Sequence, residues 1–136
     1  MPAPNDLYDI RDVLPADYNF ILATWLRGLY YSDMWFKEME KATFMKNYHK
    51  VIEAILARPG CSTKIACLKD DLNVILGYAV YKDTVVDWIF VKSSWRNIGI
   101  AKSLVPAGVT AVTHLTPVGL SILRKQPGVV FDPFLL

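Results

Sequence analysis

Cysteine is scarce in this sequence, with only Cys61 and Cys67 present. They form neither a disulfide framework nor the paired spacing of a metal site, so both are expected to be reduced, small apolar residues and no metal is expected. Long apolar runs are also missing. Arg27, Lys37 and other charges interrupt every hydrophobic segment before about 18 residues, which argues against a membrane-spanning helix. Nor is there a block of like charge. Lys and Arg number 15 against 13 Asp and Glu, and a net charge of only +2 demands neither a nucleic acid nor a membrane surface as partner. The opening residues, Met1 to Asp6, carry no basic region and no apolar stretch, so a secretory signal is not expected and the cytoplasm is the expected compartment. Internal repeats and low-complexity segments are absent as well.

What the chain does have is apolar substance. Hydrophobic residues make up 53% of its 136 positions and charged residues 21%, which excludes a disordered chain. A chain of this size buries roughly two thirds of its surface, enough for one independent domain over residues 1–136 and too little for two.

The most informative stretch is residues 85–104. In Val85-Val86-Asp87-Trp88-Ile89-Phe90-Val91, β-branched and aromatic residues dominate, the pattern of a central strand with little solvent on either face. Asp87 is its only charge. Lys92-Ser93-Ser94-Trp95 reads as a loop, and from Arg96 the spacing of Ile100, Ala101, Leu104 and Val105 is that of one helix face. Gly99 at the junction lets a bound group approach the backbone, and the first N–H groups of a helix are unpaired. With Arg96 beside them, they would favour a di-anion such as a pyrophosphate.

Arg96-Asn97-Ile98-Gly99-Ile100-Ala101 resembles the R/Q-x-x-G-x-G/A loop of the GNAT N-acetyltransferase superfamily, and the strand before it and the helix after it are the context that loop has in the family. The resemblance implies an α/β (α+β) fold with a mixed, mostly antiparallel central sheet in the order β-α-α-β-β-β-α-β-α-β, ending in a short C-terminus. An ordinary strand-loop-helix unit, with Gly99 serving only close packing, is the plainer alternative.

Taken in order, residues 7–13 alternate like a first strand, ended by Leu14-Pro15. Ile21, Leu22, Trp25, Leu26 and Leu29 form the apolar stripe of a first helix from Ala16 to about residues 28–31. The aromatic stretch 30–36 has no clean period and fits a loop or a short helix. Phe44, Tyr48, Val51, Ile52 and Ile55 mark a helix over about 40–57, stopped by Pro59-Gly60, with His49 off its stripe on the surface. Strands are expected at 63–68, 74–82 and 85–91, with a charged turn at 69–73. Pro106 and Gly108 kink or end the helix that follows. Residues 111–115 are a candidate fifth strand, Thr116-Pro117 a helix start, 118–125 a short helix and 129–131 a last extended segment.

The resemblance further implies acetyl-CoA as donor, its pyrophosphate on the backbone N–H groups of Arg96, Asn97, Ile98, Gly99, Ile100 and Ala101. Its pantetheine arm would pair with Ile89, Phe90 and Val91, in a gap between the strand ending at Val91 and the one near His114. Lys92, Lys102, Arg124 and Lys125 are available to the nucleotide phosphate, or are ordinary surface charge. The reaction implied is direct attack of a primary amine, from a small molecule or a peptide, on the thioester, with the Val91 N–H as oxyanion donor. Asp87 is the candidate base, placed by strand alternation on the face of Val85, Ile89 and Val91, and a structural carboxylate paired with a neighbouring Lys or Tyr is the equal alternative. Tyr78 and Tyr81 point to opposite faces and are candidates to hydrogen-bond an acceptor, or else belong to core and rim. His114 is a candidate proton shuttle or a satisfied strand histidine. The segment 119–125 lacks the Tyr that protonates the CoA sulfur in many relatives, leaving Ser121 or a water in its place. That lack and the short C-terminus admit a second function, a CoA-binding or interaction module without catalysis, and leave an acceptor side open to completion by another subunit.

Overall fold

A computed structural model describes residues 7–32, 34–114, 125 and 128–135. Strand β1 (Tyr8–Asp12) leads through a 3-10 turn at Pro15–Asp17 into helix α1 (Tyr18–Ser32). The aromatic stretch resolves into a short helix α2 (Met34–Glu38), followed by α3 (Lys41–Ala57). Three strands come next, β2 (Ser62–Leu68), β3 (Ile75–Lys82) and β4 (Val85–Val91), then a short helix α4 (Ile100–Leu104), β5 (Ala111–Val112) and β6 (Val130–Phe131). They form one sheet in sequence order, antiparallel from β1 to β4 and parallel from β4 to β6.

Helices cover both faces of this sheet, which explains why the strands read as continuous apolar runs rather than alternations. On one face, Ile21, Trp25, Leu29, Phe44, Ile52 and Ile55 of α1 and α3 pack on Ile65, Tyr78, Val80 and Trp88. On the other, Ile100 and Leu104 of α4 pack on Tyr8, Ala66, Leu76, Ala79 and Val91. The first six residues of β3 are buried, and Gly77 is required there. A Cβ at that position would lie 2.5 Å from the Phe90 carbonyl oxygen, so the absence of a side chain is what lets β3 and β4 pair.

Two expectations need correction, and one open choice is decided. The helix after the loop does not begin at Arg96: a 3-10 turn occupies Ser93–Trp95 and regular helix starts only at Ile100. It also ends early rather than kinking, because Val105 before Pro106 is extended, the conformation that proline imposes on its predecessor. The fifth strand stops at Val112, since residues 113 and 114 turn away. The Thr116-Pro117 start, Ser121, Arg124 and all but Lys125 of the expected 118–125 helix lie outside the described residues. Among the described residues no helix is long and apolar enough to cross a membrane, and no cluster of His, Cys, Asp and Glu could hold a metal ion.

Candidate functional site

Strand β4 is longer than its parallel neighbour. Val85 and Val86 pair with Ala111 and Val112, and the last tie is the Thr113 N–H to the Val86 carbonyl at 3.0 Å. Past that point β4 runs on to Val91 with no strand beside it among the described residues. Its opposite edge is held by β3, where the Lys92 N–H donates to the Leu76 carbonyl at 2.8 Å. Because antiparallel pairs alternate, Phe90 and Trp88 then turn their amides to β3, and Ile89 and Val91 turn theirs into the opening. The Arg96 Nε donates to the Val91 carbonyl at 2.9 Å, which fits that direction.

At the end of this free edge, the loop of residues 96–99 carries two left-handed residues, Asn97 (φ 68) and Gly99 (φ 91). Gly99 is open: a Cβ built there meets nothing within 4 Å. Ser103 in α4 donates to the Gly99 carbonyl at 2.9 Å, leaving its oxygen to accept from the Tyr8 hydroxyl at 3.0 Å, so the loop is tied to β1 across the sheet. Asn97 and Lys102 are exposed, Ile98 and Ala101 half-buried, and Ile100 is buried in the core beneath. The N–H groups of this turn are therefore presented by backbone shape more than by a helix dipole, since α4 has only five residues.

Asp87 does not lie where strand alternation would put it. Val80 faces Trp88 while Tyr81 faces Val86, leaving Asp87 unpaired in a bulge of β4. Its carboxylate is buried, ion-paired with Arg58 at the end of α3, and accepts the Thr113 hydroxyl at 2.9 Å. Tyr78 needs a second correction, because it is fully buried. Its hydroxyl donates to the Ile21 carbonyl at 3.1 Å and lies 2.8 Å from Thr24 Oγ1, while burial pushes its ionisation well above the ordinary phenol range. It fastens α1 to β3 and offers nothing to an acceptor. Tyr81 packs on the α4 face, opposite to Tyr78 as the alternation implies.

Around the point where β4 and β5 separate, residues that sequence reasoning left apart come together. Trp25 and Trp88 stack at 5.3 Å, and the His114 ring stands edge-on to both. Gly28 makes room for this, since a Cβ there would be 3.2 Å from the Trp88 ring. His114 Nε2 lies 2.6 Å from the Tyr48 hydroxyl and Nδ1 lies 3.0 Å from Thr113 Oγ1. Burial depresses the His114 pKa below its ordinary value near 6.5, against an opposing pull from Asp87. In the sequence Tyr48 is one member of an apolar stripe, and no motif marks Arg58 or Thr113. The one available signal was a tyrosine set in an otherwise aliphatic and phenylalanine stripe.

The architecture is that of the GCN5-related N-acetyltransferases, the GNAT fold. A structure from Pyrococcus furiosus, assigned as an acetyl transferase, superposes on 92% of this chain and 81% of its own with a TM-score of 0.56 at 17% identity. A structure from Corynebacterium glutamicum, of a histone acetyltransferase HPA2 and related acetyltransferase, matches 91% of this chain and 75% of its own with a TM-score of 0.52 at 11% identity. The apo form of YjaB from Escherichia coli matches 72% of this chain with a TM-score of 0.50 at 16% identity. This chain spans 61% of the length of YjaB and of two solved acetyltransferases that it resembles. No protein-family model and no curated protein matches the sequence. At such identities the likeness establishes the fold.

Proposed function

We propose that this GNAT-fold chain transfers an acetyl group from acetyl-CoA to a primary amine by direct attack. The observation that supports the reading is the outer edge of β4: Ile89 and Val91 turn amides that have no partner among the described residues into an opening that ends at the left-handed loop of Asn97 and Gly99. An amide-bearing arm fits the first as an added strand would, and a pyrophosphate fits the second, where backbone N–H groups are accessible and Gly99 leaves the approach clear. Arg96 and Lys102 supply positive charge nearby. The thioester carbonyl would then sit at the Val91 N–H, which stabilises the oxyanion as the amine attacks and the thiolate departs. The acceptor is a small-molecule or peptide amine, and another subunit completing the acceptor side is part of the same proposal.

A second reading, a CoA-binding module without catalysis, is favoured by two observations: Tyr78 is sealed in the core and Asp87 is held in an ion pair with Arg58. Release of the CoA thiol in the presence of primary amines separates the two readings.

Donor binding itself is tested by thermal unfolding with acetyl-CoA. A side chain at Gly99 would strain the backbone at φ 91, so the better probe is Ala101→Asp. It sets a carboxylate in the first turn of α4, where a helix tolerates negative charge but a diphosphate is repelled. Acetyl-CoA at about 100 times its Kd should add about 2.7 kcal/mol to the native chain, a shift of several degrees, and far less to the variant. No shift in the native chain overturns the proposal.

A further inference from the structure

We infer that Lys92 selects the acceptor by binding a carboxylate that the attacking amine carries, so that the substrate is an amine bearing an acid group and not a polyamine or a basic peptide. This rests on the acetyl-transfer reading above and names the acceptor class that the reading leaves open.

Lys92 directly follows the residue whose N–H is assigned to the thioester, so its Cα lies about 3.8 Å from that of Val91. Its side chain takes the face of the sheet opposite to the loop. Side chains alternate along a strand, and Phe90 packs with the α1 and α3 core while Val91 packs with α4. Lys92 goes the way of Phe90, with Nζ 5.6 Å from the centre of the Phe20 ring of α1. Trp95, Ile98 and Ala101 hold the loop on the other face, against the α4 cluster. The lysine is therefore apart from the backbone groups offered to a diphosphate. An arm along the outer edge of β4 lies in the plane of the sheet, and its diphosphate on the α4 side, which leaves the α1 side to the amine.

On that side the ammonium has no counter-charge. Lys92 is half-buried, yet the ion pairs among the described residues are made elsewhere, by Arg11 with Asp17, His49 with Glu53, Arg58 with Asp87 and Lys64 with Asp12. Helix α1 has no acidic residue in its first turn, and Asp70 and Asp71, in the turn between β2 and β3, make no ion pair with Lys92. What the ammonium meets is aromatic: Phe20 stands edge-on to Tyr78 and Phe90 at 6.2 and 5.9 Å. A ring face offsets only part of the loss of water around a cation, and a carboxylate supplies the rest through a charge-assisted hydrogen bond. The same charge acts on the amine, because a neighbouring cation disfavours the ammonium form and favours the neutral base that attacks. A second positive charge on the acceptor is repelled. The reaction leaves Lys92 unchanged: the amine nitrogen bonds to the thioester carbon, the C–S bond breaks, and the proton shed by nitrogen balances the thiolate to give an amide and a thiol.

The test measures thiol release from acetyl-CoA with glycine against glycinamide, β-alanine against β-alaninamide, and spermidine, each at the same concentration of uncharged amine. The proteins are the native chain, Lys92→Met and Lys92→Glu, and thermal unfolding with acetyl-CoA is recorded for each. Methionine keeps an unbranched stem against Phe20 without the charge. The native chain should prefer each carboxylate to its amide about 10- to 100-fold in kcat/KM, with the difference in KM rather than kcat. That ratio should fall to near unity in Lys92→Met and invert in Lys92→Glu, which should also take spermidine best, while Lys92→Met keeps the shift with acetyl-CoA. A native ratio at or below unity overturns the inference and leaves acetyl transfer standing, as does a preference that survives in Lys92→Met. Loss of the acetyl-CoA shift in Lys92→Met gives the lysine to the donor and overturns it too. So does an acetyl group on Lys92 itself, read by mass spectrometry of the native chain, since a lysine that is the acceptor cannot select one. A native chain that binds acetyl-CoA yet transfers to none of these amines overturns acetyl transfer and the inference with it, leaving donor binding. One that does not bind acetyl-CoA overturns the whole reading.

Discussion

Single residues decide how this fold closes and what its site can do. Gly77 is the clearest case, with a would-be Cβ 2.5 Å from the Phe90 oxygen and 3.1 Å from Val91 Cα. Backbone on both sides cannot give way as a flexible side chain would, so Gly77→Ala should cost about 2 kcal/mol or more. Urea unfolding checks this, and it should also weaken acetyl-CoA binding, because the strand pushed aside is the one that carries the Ile89 and Val91 amides. Sequence alone could not mark this glycine, since its constraint comes from a partner strand. The same holds for Asp87. Its charge among apolar residues was visible, but its direction was not, because a bulge breaks the alternation from which direction is read. Arg58 and Thr113 were invisible for a related reason: each meets the Asp87 carboxylate, more than 25 residues away in sequence.

Secondary-structure elements were more legible than residue roles, and the reason is periodicity. Residues 18–32 and 41–57 repeat their apolar positions with helical spacing, and 85–91 shows the β-branched run of a strand covered on both faces, so local pattern and tertiary packing agree. Short elements carry too few residues for any period to show. α2 and α4 have five residues each, and β5 and β6 two, so their bounds depend on neighbours instead. The geometry of β4 as an element makes a prediction of its own. If Ile89 and Val91 turn their amides into an opening while Trp88 and Phe90 are bonded to β3, hydrogen exchange along the strand should alternate, fast at 89 and 91 and slow at 88 and 90. Acetyl-CoA should slow the fast pair and leave the slow pair alone. Uniform protection along β4 in the free protein would show that its outer edge is already covered.

For the whole molecule, two ionisable groups, the buried Asp17 and the half-buried His114, couple distant parts of the chain to pH. Asp17 receives a two-pronged bond from Arg11, at 2.7 and 3.0 Å, and accepts the Leu14 N–H at 2.7 Å, so it locks β1 to the start of α1. The Arg11 bond, opposed by burial and helped by the Leu14 N–H, holds its pKa below the ordinary carboxylate value. The stability it contributes is therefore fully present above about pH 4, where the unfolded side chain is ionised, and is lost as pH falls through the depressed folded value. His114 joins α3 to the end of β5, and burial holds its ring neutral below the pH at which an unfolded histidine takes up a proton. Its sign is the same: the unfolded state binds the proton first, so stability declines as pH falls below about 6.5. Because a domain of this size unfolds as one unit, both terms should appear in a single global transition. Urea midpoints measured from pH 8 to pH 3 should thus fall in two stages, the first beginning near pH 6.5 and the second near pH 4. His114→Gln should erase the first stage and keep the second. Asp17→Asn should lower the midpoint already at pH 7, by removing one partner of a buried ion pair, and flatten only the second stage. If the first stage survives in His114→Gln, it does not come from this ring, and the folded protein does not hold His114 neutral at a cost in stability.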